Sequence, residues 1–134
     1  MLVRLPVFLD ATLLRFLVVG FANTAVGLGV IFCAKALGLG DVTANMVGYA
    51  VALMFSFALN KQWTFGFRGR AAAAFLRFLL VFAVAYAANL AVVVLLIDHA
   101  GVESHLAHLL GIVPYTALFY AGSRWYTFDS PRET

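Results

Sequence analysis

The chain has few charged residues. Only 11% of its 134 residues are Asp, Glu, Lys or Arg, while 64% are hydrophobic. A soluble domain carries roughly a quarter charged residues, so this shortage excludes an ordinary water-soluble protein, and the length leaves no room for a second, soluble domain. The chain is therefore predicted to be an all-α integral membrane protein, with residues 1–134 forming a single membrane domain.

Acidic residues are missing from the apolar stretches altogether. The four predicted spans, 16–37, 45–59, 78–97 and 106–121, contain no Asp or Glu. The second and fourth are short of the roughly 20 residues that cross a bilayer, so we expect them to include the interfacial residues that follow or to tilt little. A proton-coupled exporter of small cations, a class that also has four short spans, would need a carboxylate inside the membrane. Its absence argues against that alternative.

Cysteine and catalytic groups are equally scarce. Cys33 is the single cysteine, which excludes an internal disulfide, and its position in the first span predicts a buried, unreactive thiol. No nucleophile stands near a candidate base and no glycine loop fits a nucleotide phosphate, so no enzyme is predicted. His99, His105 and His108 do not follow a zinc-ligand spacing. Neither a metal nor another cofactor is predicted.

The basic residues are present in number and lie on one side of the predicted spans. Eight of the nine Lys and Arg residues precede span one, separate spans two and three, or follow span four: Arg4, Arg15, Lys61, Arg68, Arg70, Arg77, Arg124 and Arg132. By the positive-inside rule both termini and the central loop are cytoplasmic. This topology explains the net positive charge without a nucleic-acid partner.

The two halves of the chain share one motif. The segment Asn-Lys-Gln-Trp-Thr-Phe at 60–65 corresponds to Ser-Arg-Trp-Tyr-Thr-Phe at 123–128, and Leu-Arg-Phe-Leu at 14–17 recurs at 76–79. This pattern predicts an internal duplication, with repeat one at about 13–65 and repeat two at about 75–128. Because each repeat holds two spans, the repeats are predicted to be parallel rather than inverted across the membrane.

The repeated ends place cations beside aromatic rings at the predicted cytoplasmic interface. Lys61, Arg15, Arg77 and Arg124 are candidate ligands for a phosphate, and Trp63 and Tyr126 are candidates to face a sugar or an acyl chain. Aromatic anchoring and snorkelling arginines explain the same residues in many membrane proteins. They do not explain why the cation keeps a fixed place in an ordered repeat, which favours a two-part anion clamp.

Polar and small residues continue along the spans. Asn23, Asn45 and Asn89 either hydrogen-bond between helices or line a polar path, whereas Asn60 is favoured as a substrate contact because it adjoins Lys61. Two stripes at helical spacing favour close helix packing over a ligand groove. These stripes comprise Gly20, Asn23 and Gly27 in span one, and Gly48, Ala52, Ser56 and Asn60 in span two.

Taken in order, these residues resemble the GtrA-like family of small four-span bacterial membrane proteins. The resemblance rests on Arg-Phe-Leu-Val-Val-Gly at 15–20, Asn23, Asn45, Gly-Tyr at 48–49, Ser-Phe at 56–57 and the motif at 60–65. It extends from residue 13 to residue 128. The second copy departs from the family pattern, since Ser123 replaces the asparagine, so the first copy and Lys61 are expected to carry more of the function.

The resemblance implies a function at the bacterial cytoplasmic (inner) membrane. Such proteins are implicated in moving a polyprenyl-phosphate-linked sugar, such as one carried on undecaprenyl phosphate, to the outer leaflet for cell-surface polysaccharide or O-antigen modification. The implied partners are the lipid-linked sugar, membrane lipids and glycosyltransferases. A homo-oligomer of parallel subunits is compatible with the one-sided charge. The alternative is a membrane anchor or scaffold that recruits a polyprenyl-phosphate glycosyltransferase without transporting anything.

Overall fold

The computed structural model describes residues 10–129, and in this part of the chain every regular element is helical. The elements are α1 (Ala11–Ala36), α2 (Asp41–Leu59), the π-helical turn π1 (Asn60–Thr64), α3 (Ala71–Asp98), α4 (Ser104–Gly122) and the π-helical turn π2 (Ser123–Thr127). Arg4 and Arg132, two of the predicted cytoplasmic cations, lie outside the described residues.

Carboxylates cap two of the helix starts. Asp10 accepts a hydrogen bond from the Leu13 backbone N–H at 3.1 Å at the start of α1, and Glu103 accepts from His105 and Leu106 at the start of α4. An acceptor at this place satisfies N–H groups that the helix leaves unpaired. The loop after α1 turns at Gly38, whose φ of +92° belongs to the left-handed region that favours glycine.

All four helical segments are long enough to cross a bilayer. α2 with π1 forms one segment of 24 residues, as does α4 with π2, while α1 has 26 residues and α3 has 28. At ~1.5 Å per residue, a 24-residue helix is ~36 Å long, which exceeds the ~30 Å hydrocarbon core. The chain is therefore a multi-pass membrane protein, and the short second and fourth spans do continue into the residues that follow them.

The predicted starts of spans one and three were too late. Arg15 lies inside α1 and Arg77 inside α3, rather than before them. The prediction started each span after its arginine, as if the charge bounded the apolar run. Long arginine side chains can reach the interface from within a helix. In α3, the alanines at 71–74 also favour a helix that begins before Arg77.

The chain divides into two compact units, Met1–Phe67 and Arg68–Thr134. The N-terminal unit is a helical hairpin in which α1 packs on α2 and π1. The C-terminal unit is a hairpin in which α3 packs on α4 and π2. Each unit thus contains one copy of the repeated motif, located in its π-helical turn.

In the N-terminal unit, small residues bring α1 and α2 into direct contact. Every fourth residue of α2 is buried: Ala44, Gly48, Ala52 and Ser56. A Cβ atom on Gly27 would lie 3.3 Å from the Cβ of Ala52, and one on Gly48 would lie 3.0 Å from the Gly27 carbonyl oxygen and overlap Ile31. These residues form the predicted packing seam. Gly20 does not belong to it, because it is exposed and faces open space.

The C-terminal unit repeats this packing with different side chains. A Cβ on Gly111 would lie 2.7 Å from Asn89 Nδ2, and one on Gly122 would overlap Val81. We call the end of each hairpin that contains the repeated motif its motif end. There, the Phe78 and Phe128 rings lie 6.3 Å apart in this unit, as do the Phe16 and Phe65 rings in the other. Motif residues therefore make the same ring contact in both units.

Cys33 lies on the outer face of α1 and is exposed, so the prediction of a buried thiol was wrong. Large apolar side chains share the outer surface, among them Phe21 at 82% and Phe32 at 67% exposure. In a membrane protein such a surface faces lipid, and the hydropathy of a span does not tell which of its sides faces the partner helix.

Candidate functional site

Both copies of the motif adopt a π-helical turn. The Phe65 backbone N–H donates to the Asn60 carbonyl at 2.9 Å, and Phe128 donates to Ser123 at the same distance. Hydrogen bonds spanning five residues widen the helix, and such turns are rare and frequent at functional sites. The widened turn carries the cation and aromatic residues that the sequence singled out.

In the N-terminal unit, an arginine of α1 closes onto the turn. Arg15 Nη1 donates to the Trp63 carbonyl at 3.3 Å, and its guanidinium carbon lies 5.6 Å from the centre of the Trp63 ring. The carbonyl is at the negative end of the α2 helix dipole, which favours a cation there. Arg15 is exposed and Trp63 is 44% exposed, so one face of the pair remains open.

The C-terminal unit contains the corresponding pair. Arg77 Nη2 donates to the Thr127 carbonyl at 3.1 Å, and its guanidinium carbon lies 6.0 Å from the centre of the Tyr126 ring. Arg77 is half-buried and Tyr126 is 48% exposed. Each unit therefore brings together one predicted arginine and one predicted aromatic residue at its motif end.

Asn60 lies inside the N-terminal unit, at 1% exposure. Its side-chain Nδ2 donates to Ser56 Oγ at 3.1 Å, and its Oδ1 accepts from Thr64 Oγ1 at 2.8 Å. The amide thus links two buried hydroxyl groups one turn on either side of it. This arrangement stabilises the turn, and a contact between Asn60 and a sugar stays a prediction.

The second copy has the opposite hydrogen-bond pattern. Ser123 and Thr127 are both fully buried at 0% exposure. Neither Ser123 Oγ nor Thr127 Oγ1 has a hydrogen-bond partner, and the buried Nε of Arg77 has none either. Serine is too short to bridge two turns as asparagine does, so the serine at this position leaves the two hydroxyl groups without partners.

The two motif cations also differ in their surroundings. Arg124 Nη1 donates to the Tyr120 hydroxyl, and its guanidinium lies 5.4 Å from the Trp125 ring centre. Lys61 is half-buried, and its side-chain ammonium makes no hydrogen bond or ion pair with residues 10–129. Of the two motif cations, Lys61 therefore has fewer contacts that would compete with a ligand.

The three remaining asparagines lie apart from these ends. Asn23 is half-buried between Val19 and Gly27 on α1, and its Oδ1 is buried without a partner. Asn45 is exposed in the first turns of α2, and Asn89 packs against Gly111 in the other unit. Within its own unit, each of these asparagines lies away from the motif residues.

His99 lies in the loop before α4, and His105 and His108 lie in the first turns of α4. The His105 ring Nδ1 lies 2.7 Å from Glu103 Oε1. Hydrogen bonds from the His105 backbone, the His105 ring and the Leu106 backbone hold the pKa of Glu103 below its ordinary value. Among the described residues, no three His, Cys, Asp or Glu side chains group as metal ligands would.

Sequence reasoning missed the two buried hydroxyls of the motif, Thr64 and Thr127. The signal was the threonine that both copies share before the final phenylalanine. The prediction was based on the cation and the aromatic residue, which lie at the surface, whereas the threonine at the next position faces inward.

Comparison with known proteins identifies a family. A family model described as GtrA/DPMS, transmembrane domain, matches residues 15–128. No curated protein matches the chain. The matched range begins at Arg15 and ends at Phe128, so it includes both arginine–aromatic pairs and both π-helical turns.

Proposed function

This chain belongs to the GtrA/DPMS transmembrane-domain family, and on that premise we propose that it translocates a polyprenyl-phosphate-linked sugar across the bacterial cytoplasmic membrane. Membership of this family suggests lipid-linked sugar translocation in general and a transmembrane protein that is not an enzyme. The finer proposal concerns the cargo, a sugar on undecaprenyl phosphate or a similar carrier, destined for cell-surface polysaccharide or O-antigen.

One observation carries the proposal, namely the arginine–aromatic pair at the motif end of each hairpin. A cation above an aromatic ring matches a cargo with a phosphate, a sugar ring and a long apolar chain. One or more of the four cations Lys61, Arg15, Arg77 and Arg124 would meet the phosphate, and the others would supply further positive charge. Trp63 and Tyr126 would face the sugar or the first isoprene units.

The one-sided distribution of cations supports a cytoplasmic loading site. Under the positive-inside rule both motif ends face the cytoplasm, where lipid-linked sugars are made. The recurrence of ring contacts and π turns in the two hairpins supports an internal duplication with parallel repeats. We propose that glycosyltransferases on either side of the membrane supply and consume the cargo.

The close seam inside the N-terminal hairpin restricts the route. Gly27 and Ala52 leave no space between α1 and α2 for a sugar. The headgroup would therefore move outside this seam, past polar side chains such as Asn23, Asn45 and Asn89. A homo-oligomer of parallel subunits would provide additional walls for such a route.

The second candidate function is a membrane anchor or scaffold for a polyprenyl-phosphate glycosyltransferase. It is favoured by the family description, which joins GtrA proteins with a DPMS transmembrane domain. In this case the exposed rings of Trp63, Trp125 and Tyr126 would contact the enzyme rather than a lipid. Both candidates use the same cytoplasmic surface, so mutation of that surface alone does not separate them.

Reconstitution separates transport from anchoring. Purified protein in liposomes that carry a labelled polyprenyl-phosphate sugar on one leaflet is expected to accelerate its appearance on the other. Lys61→Ala should remove this acceleration. Lys35→Ala is the matched control, because Lys35 is exposed at the opposite end of α1 and pairs with Asp41 at 2.9 Å.

Two results would decide against the transport proposal. If native protein gives no acceleration but binds a glycosyltransferase stably, the scaffold is the correct function. If Lys35→Ala and Lys61→Ala slow transport equally, the motif end is not the loading site.

A further inference from the structure

The C-terminal unit holds a buried polar cluster that its N-terminal counterpart lacks. We call Arg77, Ser123 and Thr127 the Arg77 cluster. Two hydroxyl groups and one guanidinium N–H of this cluster are buried without hydrogen-bond partners. Buried polar groups in proteins are nearly always paired with protein, water or a ligand. Arg77 and Thr127 are already linked, because Arg77 Nη2 donates to the Thr127 carbonyl. The three unpaired groups therefore require an explanation.

The comparison with the other unit shows how the cluster arises. There, the Asn60 amide satisfies both Ser56 and Thr64. In the C-terminal unit Ser123 stands at the asparagine position, and Phe119 stands where the N-terminal unit has Ser56. The replacement of asparagine by serine removes the bridging amide and puts a smaller side chain in its place.

The chemistry of the cluster selects its occupant. Arg77 Nε is a donor only, and each hydroxyl also has a proton to donate. Arg77 carries a positive charge, and the described residues give it a carbonyl and an aromatic ring but no carboxylate. Three donors beside an uncompensated, half-buried cation fit an anionic oxygen better than a neutral one.

From these observations we infer that the Arg77 cluster is the phosphate-binding site of this protein, so that the C-terminal hairpin holds the anion and the N-terminal hairpin does not. This inference rests on the proposed function for the identity of the cargo and deepens it by naming the site. One oxygen of the phosphate would enter the cluster beside the buried hydroxyls, while the rest of the phosphate would lie along the partly exposed guanidinium, next to the exposed Tyr126. Lys61 then meets the cargo at its outer parts.

The test is the binding of geranyl phosphate to purified protein in detergent, with geraniol as the uncharged comparison. Thr127→Val preserves the shape of the side chain and removes its hydroxyl, and it is expected to weaken the Kd for geranyl phosphate by about tenfold. Thr64→Val removes the corresponding hydroxyl of the other unit. It also breaks the hydrogen bond to Asn60 Oδ1, but it changes no group of the Arg77 cluster and should leave this Kd unchanged. Thr127→Ser, which keeps the hydroxyl, should bind as the native protein does.

A second variant tests the site by filling it. Ser123→Asn restores the amide of the first copy, which would occupy the space and the donors of the cluster, so affinity for geranyl phosphate should fall by at least as much as in Thr127→Val. Thr127→Ser also covers the case in which Thr127→Val does not fold, because loss of binding in a folded Thr127→Ser protein would count against the site.

Several outcomes overturn the inference. These are equal affinity for geraniol and geranyl phosphate, equal weakening by Thr64→Val and Thr127→Val, and full binding by Ser123→Asn, which would mean that the cluster holds only water. If geranyl phosphate binds at the cluster but no sugar lipid is transported, the site stands and the transport proposal fails. If transport persists while Thr127→Val binds normally, only the site is wrong.

Discussion

Replacing Gly48 with alanine tests whether the seam between α1 and α2 holds the N-terminal hairpin together. The new Cβ would overlap Ile31 Cγ1 and lie 3.0 Å from both Ile31 Cδ1 and the Gly27 carbonyl oxygen. The isoleucine side chain is stiff because it is branched at Cβ, and the carbonyl moves only if α1 moves. Overpacking of this kind costs typically about 1–3 kcal/mol.

The matched control is Gly29→Ala on α1, where a Cβ would find open space within 4 Å. Both substitutions replace a glycine inside a helix, and each gains up to about 1 kcal/mol of helix propensity. This gain cancels when the two variants are compared. The free energy of unfolding of Gly48→Ala is therefore expected to lie about 1–3 kcal/mol below that of Gly29→Ala.

The assay is reversible unfolding in mixed micelles, in which the fraction of a denaturing detergent is raised and helix content is followed by circular dichroism. Equal unfolding free energies for the two variants would refute the claim that a close seam positions the motif end. A more stable Gly48→Ala protein would show that α1 and α2 stand further apart than the contacts of Gly48 require.

Two further predictions concern polar groups. Asn60→Ala should lower the unfolding free energy by about 1–2 kcal/mol, because it leaves two buried hydroxyls without their partner, whereas Asn45→Ala, at an exposed position, should leave it unchanged in the same assay. Glu103→Gln should speed hydrogen exchange of the His105 and Leu106 amides at neutral pH, relative to their intrinsic rates. Because folding lowers the pKa of Glu103, its capping is complete above the ordinary carboxylate pKa and is lost as pH falls through the lowered value. The native protein should therefore approach the variant only in acid, and protection that is equal at neutral pH would contradict this cap.

Composition and the length of the apolar runs predicted the helical class and the four spans because both follow from the shortage of charge. The family was also recognised from the sequence, and the match over residues 15–128 confirms it. The beginnings of α1 and α3 were missed because an arginine can lie within a transmembrane helix when its side chain reaches the interface. The face on which Cys33 lies was missed because a span that is apolar all round has too little periodicity to show which side packs.

The pairing of arginines with aromatic rings could be predicted only as a co-location at one end of the repeats. The specific pairs, Arg15 with Trp63 and Arg77 with Tyr126, depend on where α1 and α3 meet the turns. The π-helical turns have no composition signature that distinguishes them from the α-helices they continue. Without the turn, the inward direction of Thr64 and Thr127 could not be derived from their place in the motif.

The divergence between the two copies now bears on which half binds the cargo. By sequence, the first copy was favoured because it keeps the asparagine of the family motif. In the structure, the amide of that asparagine hydrogen-bonds to both Ser56 and Thr64, so the buried polar groups of the first copy are paired without a ligand. The serine of the second copy leaves donors for one. If the inferred phosphate site is correct, the two copies of the motif differ in role and the protein has a single, asymmetric site, which suits a cargo with one phosphate better than two equal sites would.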